Sequence, residues 1–209
     1  MYNKENYRLW GRREQRMNVE FELKFCATPQ IHTALRQRFP QDGQVITMET
    51  TYYDTPGGDF SARKIALRRR LENGISVCTL KTPAGKLARG EYELPCDEIT
   101  AAATELCKLA ELPELALAAN AGLTAVCGAR FTRTAKMLTF PDFSAELALD
   151  TGVLTGGGRE IPLCEVELEL KSGSQDALCA FAHRLAEEFS LIPENRSKFR
   201  RALDLARGD

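Results

Sequence analysis

The sequence has almost no net charge, because its 28 lysine and arginine residues are balanced by 29 aspartate and glutamate residues, which leaves a formal charge of −1. A chain without a basic excess has no general positive field that would attract nucleic acid or an anionic membrane surface. No apolar run approaches the roughly 18 residues that a membrane-spanning helix requires. The sequence therefore predicts no nucleic-acid partner and no membrane partner, and any polyanion site has to be built locally.

The seven cysteines are odd in number and include no CxxC pair. Neither a disulfide framework nor a zinc knuckle is therefore indicated, and a cytoplasmic location, where thiols stay reduced, is expected. Histidine is also scarce, and both histidines, His32 and His183, fall in predicted helices away from the predicted strands. We expect each to be a packing or surface residue rather than a catalyst.

What is present is the composition of a globular protein, with 44% hydrophobic and 27% charged residues. Residues 1–16 differ from the rest, because they are mostly polar and hold five basic residues against two acidic ones. We expect them to form a flexible N-terminal extension. No repeat or linker interrupts the remainder, so a single domain over residues 17–209 is the simplest prediction.

Residues 18–26 alternate between apolar and charged side chains, which is typical of a strand with one buried and one polar face. Seven further segments have strand patterns, and turn residues such as Asn73-Gly74 separate them. The predicted strands are 18–26, 44–53, 64–71, 76–81, 88–94, 131–139, 143–150 and 161–170. Helices are predicted at 28–39, at 100–119 with a restart at Pro113, at 174–189 and at 197–206. The predicted fold class is therefore α+β.

Charged side chains on several predicted strands keep the two-residue period of the strand. Glu165, Glu167 and Glu169 lie on one face and alternate with apolar residues. A solvated outer face is the commoner explanation of such alternation in a single strand. Three carboxylates about 6 to 7 Å apart, however, repel one another unless a cation lies among them. Mg²⁺ and Mn²⁺ prefer carboxylate oxygens, so the pattern indicates a metal site.

Basic side chains follow the same rule on other strands. Arg68 and Arg70 share one face, whereas Arg69 points the other way and is excluded from the site. Guanidinium and ammonium groups bind phosphate well, and an eight-stranded sheet closed into a barrel can hold one small ligand. Carboxylates for a metal and cations for phosphate in one cavity predict a site for a highly charged phosphate compound, which metal-assisted hydrolysis would cleave.

The order of these segments resembles a known family. Residues 20–24 read ExExK, residues 53–56 read YDTP, residues 66–70 read ALRRR, residues 79–81 read TLK, and residues 164–173 read CEVELELKSG. Over residues 18–206 the chain resembles the CYTH superfamily, the triphosphate tunnel metalloenzymes, and within it the bacterial inorganic triphosphatases. The resemblance implies an eight-stranded antiparallel closed β-barrel with flanking helices. It also implies hydrolysis of inorganic triphosphate to pyrophosphate and phosphate, with Mg²⁺ or Mn²⁺ as the cofactor.

The resemblance further implies roles for individual residues. Five acidic residues would bind the metal or orient its water, namely Glu20, Glu22, Asp150, Glu165 and Glu167. Seven cationic residues would bind the triphosphate, namely Lys24, Arg68, Arg70, Lys81, Arg89, Arg133 and Lys198. The implied catalytic residues are Glu20, Glu22, Lys24 and Arg70. Four more acidic residues occupy alternate strand positions that would face the same cavity, but they have no defined role. They are Glu91, Glu93, Glu146 and Glu169.

Other functions remain open at this point. The superfamily also contains class IV-type adenylate cyclases and enzymes that hydrolyse thiamine or nucleoside triphosphates. A binding module that holds polyphosphate without turnover belongs to a different class. No pocket for a base is visible in the sequence, and both ExE clusters are intact, which favours the inorganic triphosphatase. The expected partner is a small-molecule triphosphate, and a homodimer is left open.

Overall fold

A computed structural model describes residues 18–84 and 88–208. Nine strands are present in this part of the chain: β1 (Asn18–Cys26), β2 (Gln44–Asp54), β3 (Ala66–Glu72), β4 (Ile75–Pro83), β5 (Ala88–Pro95), β6 (Thr124–Thr139), β7 (Phe143–Gly156), β8 (Arg159–Gly173) and β9 (Ile192–Pro193). Six helices accompany them: α1 (Pro29–Arg38), α2 (Asp59–Ala62), α3 (Ile99–Leu109), α4 (Pro113–Ala121), α5 (Gln175–Phe189) and α6 (Lys198–Arg207). No helix among the described residues is long and apolar enough to cross a membrane.

The strands form one sheet in the order β5-β4-β3-β2-β6-β7-β8-β1-β9, and β5 also pairs with β1. That additional pairing closes the first eight strands into an antiparallel β-barrel with flanking helices, which confirms the predicted fold class. Closure removes the free sheet edges that would otherwise need protection. The two-residue strand β9 pairs with the end of β1.

All eight predicted strands exist, although several of their bounds differ from the prediction. β6 begins at Thr124 rather than at residue 131. The prediction missed residues 124–130, because the segment TAVCGAR mixes small and polar residues and does not alternate. β7 and β8 are longer than predicted and meet in a tight turn at Gly157-Gly158. The short elements α2 and β9 were not predicted, since four and two residues are too few to carry a periodic pattern.

Two hairpin turns have backbone angles that fix the register of their strands. Asn73 and Gly74, between β3 and β4, have φ values of 50° and 84°. Gly157 and Gly158, between β7 and β8, have φ values of 57° and 73°. Positive φ at both central residues matches the twist of the flanking strands, and asparagine and glycine tolerate it best. Each turn therefore sets which side chains face each other across its hairpin.

The described part of the chain divides into two compact units, residues 18–19 with 50–126 and residues 20–49 with 127–208. In the first unit, helices α3 and α4 cover an apolar face that includes Leu67 and Leu80. In the second unit, α1 and α5 contribute to a core that includes Val166 and Leu168 of β8. The single domain over residues 17–209 stays a prediction, and the N-terminal extension lies outside the described residues.

Asp54, at the end of β2, holds the turn that follows it. Its carboxylate is 2% exposed and accepts hydrogen bonds from the backbone N–H groups of Thr55, Phe60 and Ser61 at 2.8, 2.9 and 3.0 Å. Hydrogen bonds to a charged acceptor are worth about 1.5 to 3 kcal/mol each, and a buried donor without an acceptor is costly. The carboxylate therefore links the strand to the short helix α2.

We expect Asp54→Asn to lower the free energy of unfolding by about 2 to 4 kcal/mol, because the amide removes the charge and directs N–H groups at backbone donors. Urea unfolding followed by circular dichroism measures this change. Asp42→Asn is the matched control, since Asp42 is exposed and should unfold like the parent protein. Equal unfolding midpoints for the two variants would contradict the role given to Asp54.

Candidate active site

Three buried carboxylates converge in the second unit. Asp150 of β7 lies opposite Glu165 of β8, and Glu167 follows two residues along the same face. Their exposed fractions are 0, 0 and 7%, and one carboxylate oxygen of each lies within 4.8 Å of the others. We call Asp150, Glu165 and Glu167 the acidic cluster. Alternation along the strands places these charges opposite the apolar core residues Val166 and Leu168.

Lys198 lies at the point on which the acidic cluster converges. It is the first residue of α6, directly after Ser197, whose side chain accepts a hydrogen bond from the backbone N–H of Arg200. The Lys198 Nζ atom lies 2.8 Å from Asp150, 2.6 Å from Glu165 and 2.7 Å from Glu167. One ammonium group thus forms ion pairs with all three carboxylates, and the N-terminal cap of α6 fixes where its side chain begins.

Two arginines complete the ion network around the acidic cluster. Arg133 of β6 donates to both oxygens of Asp150, at 2.8 Å through Nε and 2.7 Å through Nη2, and it also bonds to Glu167. Arg201 of α6 bonds to Glu165. With Lys198, these arginines set three cations against three carboxylates. The formal charges of these six groups therefore balance.

Three members of the network, Glu167, Lys198 and Arg133, have pKa values that depend on their neighbours. Burial acts to raise the pKa of Glu167, but Lys198, Arg133 and Lys24 outweigh it and hold this pKa well below its usual range. Burial acts to lower the pKa of Lys198 and of Arg133, but the neighbouring carboxylates outweigh it and raise both. These opposing effects favour the charged forms of Glu167, Lys198 and Arg133.

The first strand places the ExExK residues beside this network. Lys24 lies opposite Glu167 in the β1–β8 register, with 3.6 Å between Lys24 Nζ and the Glu167 carboxylate and 3.1 Å between Lys24 Nζ and Glu22. Glu22 lies opposite Glu169. Glu20, two residues earlier, is half-buried on the same strand and lies outside the group of three converging carboxylates.

Two acidic residues without a defined role also contact cations of the second unit. Glu169 lies 2.6 Å from Lys171, and Glu146 lies 3.8 Å from Arg133. Both are partly exposed, unlike the acidic cluster. Each therefore lies at the margin of the network.

In the first unit, strands β3, β4 and β5 carry a second group of paired charges. The buried Glu91 carboxylate lies 3.4 Å from Arg68 and 3.0 Å from Lys81. Glu93 accepts a hydrogen bond from Thr79 at 3.0 Å and lies 4.0 Å from Arg68. The phosphate-binding residues expected on β3 and β4 are thus interleaved with the carboxylates of β5.

The three consecutive arginines of β3 have different surroundings. Arg68 is buried, and Arg70 is nearly so and contacts Glu72. Arg69 points to the other face, where it donates to Ser76 at 3.0 Å and lies 3.4 Å from Asp97. Arg89 lies on β5 and is half-buried.

Sequence reasoning missed two residues of the second unit. Arg201 could have been found, because it follows Lys198 by three positions and such residues share one face of a helix. His32 was expected to lie away from the strands, and that expectation is wrong. The imidazole lies 3.0 Å from the backbone oxygen of Glu165 and 3.2 Å from the hydroxyl of Thr151. The pattern of α1 alone carried no signal for these contacts.

The donor set of the acidic cluster fits a hard divalent cation. Carboxylate oxygens bound to one such ion at about 2.0 to 2.6 Å lie at most roughly 5 Å apart. The three oxygens of the cluster meet that limit, since they lie within 4.8 Å of one another. All three are oxygen donors, which Mg²⁺ and Mn²⁺ prefer. The same three carboxylates contact Lys198, so a divalent cation and the ammonium group would use one set of residues.

The fold and the ion network define an antiparallel β-barrel protein whose strands carry carboxylates and cations opposite an apolar core. The sequence model of the CYTH domain matches residues 18–203. This chain therefore belongs to the CYTH domain family, as the resemblance predicted.

Known proteins of similar sequence and structure agree with this assignment. An inorganic triphosphatase from Haemophilus influenzae is 32% identical over 197 residues, which cover 90% of this chain and 55% of that protein. The chain thus spans about half the length of this relative. A candidate adenylyl cyclase from Hippeastrum with a dominant triphosphatase activity is 21% identical, with a TM-score of 0.65 and coverage of 92% of this chain and 96% of that one.

A second solved structure, a candidate adenylate cyclase from Bacillus halodurans, is 19% identical, with a TM-score of 0.62. The superposition covers 88% of this chain and 97% of that one. At these identities the two structures establish a shared fold.

Proposed function

We propose that this protein hydrolyses inorganic triphosphate to pyrophosphate and phosphate with Mg²⁺ or Mn²⁺. The observation that carries the proposal is the buried acidic cluster with three cations bonded to it. A buried ion network of this kind is weak support for stability, because desolvation offsets much of the attraction. A role in binding a charged ligand explains it better. The activity named for the Haemophilus relative supports the same reaction.

We assign the metal to the acidic cluster together with Glu20 and Glu22. When bound, Mg²⁺ or Mn²⁺ supplies polarisation of a phosphoryl oxygen and of a water molecule. In this proposal the carboxylates of the chain determine where the metal ion is bound. Glu22, beside Lys24 and opposite Glu169, extends the acidic face toward the start of β1.

The basic residues bind and orient the substrate in this proposal. A triphosphate carries about four to five negative charges near neutral pH, and charge-assisted hydrogen bonds to it are strong. Fixed cations also stabilise the charge that develops on the leaving pyrophosphate. The family resemblance gives these roles to seven cations, namely Lys24, Arg68, Arg70, Lys81, Arg89, Arg133 and Lys198. No serine, cysteine or histidine nucleophile is required.

Three of the four remaining acidic residues contact cations of this set, and the fourth, Glu169, contacts Lys171. Glu91 contacts Arg68 and Lys81 and would hold both before substrate arrives. Glu93 bonds to Thr79, and Glu146 and Glu169 contact Arg133 and Lys171. Their roles are therefore electrostatic rather than catalytic.

A substrate panel tests the proposal. Phosphate and pyrophosphate release is measured from inorganic triphosphate, ATP, thiamine triphosphate and long polyphosphate, each with Mg²⁺ and with Mn²⁺. Fast release of phosphate from inorganic triphosphate, well above the other substrates, is expected. Pyrophosphate from ATP without free phosphate would instead establish a cyclase, and tight binding of triphosphate without turnover would establish a binding module.

The neighbouring arginines of β3 provide a matched pair of variants. Arg70→Ala is expected to lower kcat/KM for triphosphate by about 100-fold, the effect of losing one group that stabilises developing charge. Arg69→Ala is expected to stay within about twofold, because Arg69 bonds to Ser76 and Asp97 on the other face. Steady-state kinetics of the two purified variants makes the comparison. Similar losses in both would show that the two faces of β3 are wrongly assigned.

A further inference from the structure

Among the described side chains of α1, His32 is the one titratable residue that is buried. The proposed reaction does not use it. Its imidazole is 1% exposed. Leu35, one turn later on α1, packs in the same core as Val166 of β8. The helix therefore lies against the outer face of β8, opposite the face that carries the acidic cluster.

The His32 imidazole forms hydrogen bonds with both β8 and β7. Nε2 lies 3.0 Å from the backbone oxygen of Glu165, and Nδ1 lies 3.2 Å from the hydroxyl of Thr151. A carbonyl oxygen only accepts, so Nε2 carries the proton, and Nδ1 accepts a hydrogen bond from Thr151. Burial and Arg36 lower the pKa of His32 against the effect of Asp150, which favours this neutral form.

The register shows what this contact controls. Thr151 and Cys164 are opposite each other on β7 and β8, and the next pair is Asp150 and Glu165. Successive side chains of a strand point to opposite faces. The imidazole therefore bonds to the back of the strand pair directly behind two members of the acidic cluster, and Cys164 Sγ lies 3.7 Å from its Nε2.

We propose that His32 is a positioning residue for the acidic cluster. By bonding to the main chain of Glu165 and the side chain of Thr151, it fixes the separation of the Asp150 and Glu165 carboxylates. This inference rests on the proposed metal site. Groups that orient metal ligands from behind commonly change metal affinity by 10- to 100-fold when they are replaced.

Calorimetric titration of the substrate-free protein with Mn²⁺ tests the proposal. His32→Leu, which keeps much of the volume but no hydrogen bond, is expected to bind Mn²⁺ about tenfold more weakly than the parent protein. His32→Gln is expected to recover most of the affinity, because its amide nitrogen can donate to the Glu165 carbonyl. His183→Gln is the control, since His183 is exposed on α5 and should bind like the parent.

A purely structural role would lower the melting temperature of His32→Leu but leave the Mn²⁺ affinity of the folded protein within twofold of the parent. That result, or equal affinities for the leucine and glutamine variants, would overturn the proposal. If the leucine variant does not fold, Thr151→Val decides, with about threefold weaker binding expected from one lost hydrogen bond and unchanged binding as the contrary result. A parent protein that binds no Mn²⁺ would instead refute the proposed function.

Discussion

Glu167→Gln is expected to lower triphosphate hydrolysis by about 10³-fold, because it removes a proposed metal ligand and a charge that orients cations. Glu167 lies 2.7 Å from Lys198 and 3.6 Å from Lys24, and it also bonds to Arg133. The amide keeps the shape of the side chain but carries no charge. Phosphate release at saturating triphosphate and Mg²⁺ measures the loss.

The control for this variant is Glu160→Gln, on the same strand but exposed, which should retain the parent rate. Removing one partner of a buried ion network costs about 3 to 5 kcal/mol, so circular dichroism must show that the assayed protein is folded. Rates within tenfold of the parent in folded Glu167→Gln would exclude a central role for this carboxylate.

Lys198→Met is expected to have opposite effects on metal binding and on turnover. Without the ammonium, the acidic cluster keeps Arg133, Arg201 and Lys24 as counterions, and its surroundings lose one positive charge. We therefore expect the substrate-free protein to bind Mn²⁺ about tenfold more tightly, because a nearby opposite charge attracts a cation strongly in a buried site. We expect kcat/KM for triphosphate to fall by about 100-fold, because a phosphate-binding cation is lost.

Calorimetry and steady-state kinetics on the same preparation measure both effects of Lys198→Met. Lys108→Met serves as the control, since Lys108 lies on the exposed side of α3 and pairs with Glu105. Weaker Mn²⁺ binding by Lys198→Met than by the parent would contradict competition between the ammonium and the metal for the same carboxylates.

The sequence predicted the parts of the fold that depend on local alternation. Strand parity alone placed Glu165 and Glu167 on the face opposite Val166 and Leu168, and the structure has that arrangement. The predicted β6 was too short, because the first residues of the strand do not alternate between apolar and polar side chains. Local pattern is thus sufficient where one face of a strand is apolar and the other is charged.

The contacts that join separate elements could not be predicted from the pattern. The position of Lys198 among three carboxylates depends on where α6 packs, and the contact of His32 with Glu165 spans 133 residues of sequence. A helical repeat shows which side of a helix is apolar but not which strand receives it. The proposed role of each residue therefore rests on the family resemblance. Which charges pair with one another is determined by tertiary packing and is seen only in the structure.

The most direct test of the account is the rate of phosphate release from inorganic triphosphate by the unmodified protein, first with Mg²⁺ or Mn²⁺ and then with excess chelator. We predict rapid release with either metal, a fall to the uncatalysed rate in chelator, and recovery when metal is restored. Undiminished release in excess chelator, or no release with any divalent metal, would contradict metal-dependent hydrolysis of triphosphate.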